Sequence, residues 1–226
     1  MNKDKKYINI KNLIVLCLLF LLFFFSYYFR IIPIKLFRLN PKKDNAILTL
    51  FSDIVLLIIL LLIYRKELIK EFKIFKKNFL DNIDIATKYW LLGLFIMLIS
   101  NLIISFILKV DTANNEKLVR NMISNSPWIM LLTAGIIAPI IEELVFRKSF
   151  KNAFPNKYIF IISSGLIFGM LHVVSATTML ELLYIIPYSS LGIAFAIIYY
   201  KTDTIFSSIF VHILHNSILI LLPLLI

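Results

Sequence analysis

Seven long apolar runs, separated by short charged or polar breaks, leave this chain few ways to fold. They span residues 13–29, 46–64, 89–108, 127–154, 158–174, 180–200 and 204–226. A helix needs roughly 20 apolar residues to cross a bilayer, and lipid offers no partner for unpaired backbone N–H and C=O groups. Runs of this length suit helices, whereas barrel strands are short and alternate in polarity. The predicted fold class is all-α: a polytopic membrane protein with about seven transmembrane helices. With 60% of its 226 residues apolar, the chain has no stretch left for a separate soluble domain.

The formal net charge of +11 would suggest nucleic acid in a soluble protein. Here the basic residues fall in the connections between runs, so they read as topology signals and no nucleic-acid partner is expected. With the amino end inside, sixteen Lys and Arg lie on inner segments and eight on outer ones, which predicts a cell-membrane protein with a cytoplasmic amino end. Arg30, Lys35, Arg38, Lys42 and Lys43, between the first two runs, run against that bias and suggest an interfacial early segment. Residues 1–11 carry four lysines and lead into the first run with no small-residue cleavage site, so an uncleaved first span is expected. Residues 64–88 interleave basic and apolar side chains, predicting an amphipathic helix on the inner membrane surface. The expected organisation is an amino-terminal part, 1–88, and a transmembrane core, 89–226. Cys17 is the only cysteine, so neither an intrachain disulfide nor a cysteine metal cluster can form. All five glycines fall within apolar runs, a placement that favours close helix contact.

Ionisable groups inside these runs are the informative residues, because each is costly unless it faces a partner or a water-filled cavity. Glu142, Glu143, His172, His212 and His215 occupy the last four runs, with Arg147 and Asn216 nearby. Adjacent Glu142 and Glu143 point about 100° apart on a helix and must serve different purposes. Glu143 stands four residues before Arg147, the favourable order for an ion pair, which leaves Glu142 to face a cavity. Pro139 has no N–H for the Gly135 carbonyl, so a kink is expected one turn before the acids. Phe168 and His172 share one face, as do His212 and Asn216. Counting turns from Pro155 places Glu142 and His172 within reach of each other. A carboxylate and an imidazole sharing a buried water form a general base for attack on a carbonyl, with His212 and Asn216 as oxyanion donors. The set Glu142, His172 and His212 equally has the composition of a divalent-metal site, zinc for example, and a metal-free mechanism stands beside it.

Three short motifs in order resemble those of the CPBP family, the CAAX-protease and bacteriocin-processing (Abi) intramembrane proteases. Two glutamates, three residues and arginine are matched by Glu142, Glu143 and Arg147, preceded by Ala138 and Pro139. Phenylalanine, three residues and histidine are matched by Phe168 and His172; histidine, three residues and asparagine are matched by His212 and Asn216. The resemblance covers residues 127–216. It departs at Lys148, where a glycine commonly follows the arginine, and this puts local helix packing in question.

The resemblance implies hydrolysis of a peptide bond in a membrane cavity open to the cytoplasm, with Glu142 and His172 activating water. The catalytic core then lies in the last four spans, and Glu143, Arg147 and Phe168 support it. The expected partners are the lipid bilayer and a membrane-associated peptide or protein substrate, in peptide maturation or bacteriocin-related processing. Two alternatives remain: a non-catalytic bacteriocin-immunity protein of the same fold, and a type II CAAX prenyl endopeptidase. No H-E-x-x-H zinc motif, G-x-G-D aspartyl signature or G-x-S-G serine signature is present. His215 reads as a packing histidine, Asp53 as a solvated or capping residue, Tyr188 as a cavity or packing aromatic, and Phe23, Phe24 and Phe25 as lipid-facing bulk.

Overall fold

The computed structural model describes residues 8–109 and 114–225, all of them helix or short connection. Lys3, Lys5 and Lys6, which enter the charge argument for orientation, lie outside the described residues. Eight helical elements follow in order: α1 (Ile10–Phe37), α2 (Asn45–Lys77), α3 (Phe79–Leu108), α4 (Asn114–Asn125), α5 (Pro127–Ala153), α6 (Lys157–His172), α7 (Leu180–Thr202) and α8 (Ile205–Leu225). Among the described residues, six are long and apolar enough to cross a membrane, and α6, at 16 residues, is a shorter apolar helix. The chain is a multi-pass membrane protein.

The 64–88 stretch does not form a separate surface helix. Its first half continues α2, a 33-residue helix roughly 50 Å long against a bilayer core of about 30 Å, and its second half begins α3 across the single break at Asn78. Its apolar positions have something to pack on: Leu68 is buried, and Phe72 and Phe75 meet Phe206 at ring distances of 5.2 and 6.1 Å. At the other end, Arg30 turns inward and donates to Asn45 Oδ1 (2.8 Å) and Thr49 Oγ1 (2.5 Å), so one of the five aberrant basic residues serves packing between α1 and α2. Asp53 lies eight residues inside α2 and is not a helix cap. Of the phenylalanine run, Phe24 and Phe25 are exposed, while Phe23 packs edge-on against Phe146 at 5.4 Å.

At the centre, α5 is flanked by α1, α2, α6 and α8, and α7 fills the space between α6 and α3. Small residues allow this closeness. A Cβ at Gly192 would fall 2.8 Å from the Gly165 carbonyl oxygen, and one at Gly93 would fall 2.6 Å from Ala194 Cβ. Because the obstacle at Gly192 is backbone, α6 and α7 must separate to admit a methyl group. Gly192→Ala is expected to cost ~1–3 kcal/mol through overpacking, seen as a lower midpoint in thermal unfolding in detergent.

Pro139 acts differently from a simple kink. The preceding stretch, Leu131–Ile137, is widened into a π-helix, with the Ala138 N–H bonded to the Thr133 carbonyl five residues back. Residue 139 would serve the Gly135 carbonyl in an α register and the Ala134 carbonyl in a π register, and proline can serve neither. Both acceptors are taken by α8: Asn216 Nδ2 donates to Ala134 O (3.0 Å) and Ser217 Oγ to Gly135 O (3.4 Å). The unpaired carbonyls thereby dock the helix that carries the last motif.

Candidate active site

A second π-helical stretch, Glu143–Lys148, begins directly after Glu142, and all six of its residues are buried. With α1, α6, α7 and α8 packed on it and Lys148 reaching α2, this segment has no exposed residue, so its charged side chains must find partners inside the protein. Glu143 and Arg147, both with fully buried side chains, form the intrahelical pair expected from their spacing, Oε1 to Nε at 3.4 Å. The guanidinium also lies over the Phe168 ring at 4.2 Å from its centroid, a cation–π contact that places the motif phenylalanine against the motif arginine. One Arg147 Nη donates to the Gly192 carbonyl at 3.4 Å.

Glu143 has a further task that spacing on one helix could not reveal. Its Oε1 accepts from His212 Nδ1 at 3.0 Å, linking α5 to α8. Because a carboxylate accepts, Nδ1 carries the proton, and Nε2 is turned toward Glu142 Oε2 at 3.5 Å. The ring is fixed in this pose by stacking on Phe195 (4.5 Å, 26°) and by Phe168 edge-on at 5.9 Å. Glu142 Oε2 is itself buried, and no group among the described residues hydrogen-bonds to it. Two carboxylates thus flank one imidazole, the inner holding it and the outer facing it.

His172, at the last residue of α6, is oriented by its own helix: Nδ1 donates to the Phe168 carbonyl at 2.9 Å, since a carbonyl can only accept. Nε2 is then the ring's available acceptor in the neutral form. The imidazole is sandwiched between Phe168 (4.5 Å) and Tyr188 (4.6 Å, 28°), so Tyr188 belongs to this cluster. Glu142 and His172 face the same cluster, close enough for the Glu142 charge to act on the His172 ring, but among the described residues no hydrogen bond or ion pair joins them, and the imidazole in direct contact with Glu142 is His212. Turn counting along α5 and α6 gave axial height but not which partner each side chain meets directly, and it assumed an α register that the π-helical stretch Glu143–Lys148 does not keep. Nor do Glu142, His172 and His212 close into a three-ligand set; among the described residues no three His, Cys, Asp or Glu side chains are grouped to hold a metal ion. Asn216 commits one amide hydrogen to Ala134 and keeps the other. His215 is a packing residue, its Nδ1 accepting from Trp90 Nε1 at 3.4 Å.

Lys148, the departure from the motif pattern, is buried rather than disruptive. It pairs with Glu67 at 2.6 Å and with Glu71, both on α2. Sequence reasoning missed this connection because 77 residues separate Lys148 from Glu71; the only visible signal was a lysine within an otherwise inward-facing motif.

Comparison with known proteins places residues 124–218, less than half of the chain, within the family model described as type II CAAX prenyl endopeptidase Rce1-like. The chain is 27% identical over 193 residues to a putative membrane peptidase, YdiL, of Bacillus subtilis, covering 82% of this chain and 75% of that one. It is 29% identical over 150 residues to the membrane-embedded CAAX protease MroQ of Staphylococcus aureus, covering 60% and 57%. A third relative, the UPF0177 protein YxdF of Lactococcus lactis, is 26% identical over 142 residues, covering 60% and 77%. No solved structure matches.

Proposed function

This chain belongs to the CPBP family, and on that premise we propose that it is an intramembrane endopeptidase that hydrolyses a peptide bond of a membrane-associated peptide or protein. The observation that carries this reading is the buried Glu142 Oε2, which accepts no hydrogen bond among the described residues and faces, at 3.5 Å, an imidazole whose other nitrogen is held by Glu143. A buried carboxylate oxygen without a hydrogen bond is expensive, and a reacting water is the partner that justifies it.

Glu142 removes a proton from that water, and His172 Nε2 accepts the water's second hydrogen to orient it. The oxygen adds to the scissile carbonyl carbon, and charge moves to the carbonyl oxygen. His212, steadied by Glu143 as the imidazole of a catalytic triad is steadied by its carboxylate, stabilises that oxyanion through Nε2 when the ring is charged. The remaining amide hydrogen of Asn216 is a second donor. The proton held by Glu142 passes to the leaving nitrogen, the C–N bond breaks, and a carboxylate and an amine depart. Each step uses side chains of this chain alone.

The amino end and the Lys148 end of the bundle lie together, since the Asn9 N–H bonds to the Ala153 carbonyl; the excess of basic residues there supports a cytoplasmic placement. The substrate we propose is an unmodified peptide, in maturation or bacteriocin-related processing, ahead of a prenylated one. The test is hydrolysis in H2(18)O by purified protein in lipid nanodiscs offered membrane-peptide mixtures. One heavy oxygen in a newly formed carboxyl terminus is expected, with His212→Ala lowering its formation on the order of 100-fold. No labelled product from any peptide in the mixture would contradict the reading.

A further inference from the structure

We propose that Glu71, on α2, is a positioning residue for the catalytic cluster, acting with Lys148 as a clamp that fixes α8 against α5. This rests on the proteolytic reading above and adds a residue outside all three motifs. Glu71 collects donors from three other helices. Its Oε1 accepts from Lys148 Nζ, at the end of the π-helical stretch, and from Tyr199 OH on α7 at 2.9 Å. Its Oε2 accepts from the backbone N–H of Ile205 at 2.7 Å, the first residue of α8. Its main-chain carbonyl accepts from Thr204 Oγ1 at 3.0 Å. Lys148 Nζ also reaches Tyr199 OH at 3.2 Å, which closes a ring of hydrogen bonds.

The free N–H groups of a helix's first turn need an acceptor, and a carboxylate from another helix supplies one here. His212 follows Ile205 by seven residues, about two turns or ~10 Å along α8. Lys148 follows Glu143 by five. One carboxylate therefore ties α8 two turns before its imidazole to α5 just beyond the carboxylate that holds that imidazole. A slide of α8 along α5 that lengthens the 3.0 Å bond between Glu143 and His212 therefore also strains the Glu71 bonds. The Glu71 side chain is only 12% exposed, so most of it faces these protein partners rather than solvent.

The test compares Glu71→Gln, which keeps an oxygen for Ile205, with Glu71→Leu, which does not. Because Glu71→Leu leaves the buried Lys148 with only the half-exposed Glu67 as its ion-pair partner, the double variant Glu71→Leu/Lys148→Met is the decisive one. In the double variant kcat is expected to fall on the order of 10- to 100-fold with KM within about twofold, while Glu71→Gln loses much less. The second readout is the 15N signal of the His212 ring, which reports the Nδ1 hydrogen bond to Glu143 and needs no substrate. A double variant that folds with wild-type kcat and an unchanged His212 signal overturns the clamp. Should the wild type show no turnover, the proteolytic reading fails and the His212 signal alone decides: a shifted signal upholds the clamp and an unshifted one rejects it.

Discussion

Glu142→Gln is expected to lower peptide-bond hydrolysis by at least 100-fold, because it keeps the shape of the side chain and removes the group that takes the proton from water. The glutamine amide can still face His212, and no other residue of the cluster is touched. Membrane insertion and thermal unfolding should match the wild type, since Glu142 Oε2 has no hydrogen bond to lose among the described residues. Glu143→Gln makes a useful contrast. It weakens both the Arg147 pair and the His212 tether, so its loss of activity should come with a loss of stability. The combination of unchanged stability and lost turnover is therefore specific to the outer of the two adjacent acids, and kcat measured beside a thermal melt separates them.

The largest stability effect is expected at Arg147. Its guanidinium is fully buried, stands 3.4 Å from Glu143, lies 4.2 Å over Phe168 and donates to the backbone of α7. Arg147→Met removes the positive charge and leaves the Glu143 carboxylate buried with one partner fewer. Breaking a buried pair from one side typically costs about 3–5 kcal/mol, much of it from the charge left behind. The variant should accumulate poorly in the membrane and unfold at a lower temperature. Removing both charges, as in Glu143→Gln/Arg147→Met, should recover a large part of that stability without recovering activity, since His212 then lacks its carboxylate. A double variant as unstable as the single one would mean that Arg147 acts through its stacking on Phe168 rather than through charge.

Much of this architecture is legible in the sequence because lipid imposes a simple rule. Spans must be apolar and helical, so the helices α5 to α8 begin and end within a few residues of the apolar runs that foretell them. Glycines inside runs foretell the α6–α7 crossing for the same reason, since only a missing side chain admits a backbone at Gly165 and Gly192. The Glu143–Arg147 pair is legible because it is local to one helix. Legibility ends where geometry departs from the ideal α-helix or where partners are distant in sequence. The π-helical stretch after Glu142 breaks the α register that turn counting assumes, and the imidazole in direct contact with Glu142 is His212, on a helix about 70 residues away. Pro139 signals a disturbed helix, yet the consequence, two carbonyls captured by Asn216 and Ser217, depends on a helix about 80 residues away. The inner-surface segment misleads for a related reason: basic and apolar residues alternate alike in an interfacial helix and in the protruding ends of two long spans. Glu71 has no local pattern at all, because its partners come from three other helices.

The central claim is that Glu142 drives hydrolysis of a membrane-associated peptide. It is tested most directly by comparing the peptides of cells that carry the wild type with those of cells that carry Glu142→Gln, at matched membrane levels. The expected result is a defined set of cleavage products that depends on the wild type and disappears in the variant, with the uncleaved precursor accumulating in its place. An unchanged peptide profile, together with an intact cellular phenotype such as protection against a bacteriocin, would contradict the claim and favour a protein of this fold that acts by binding alone.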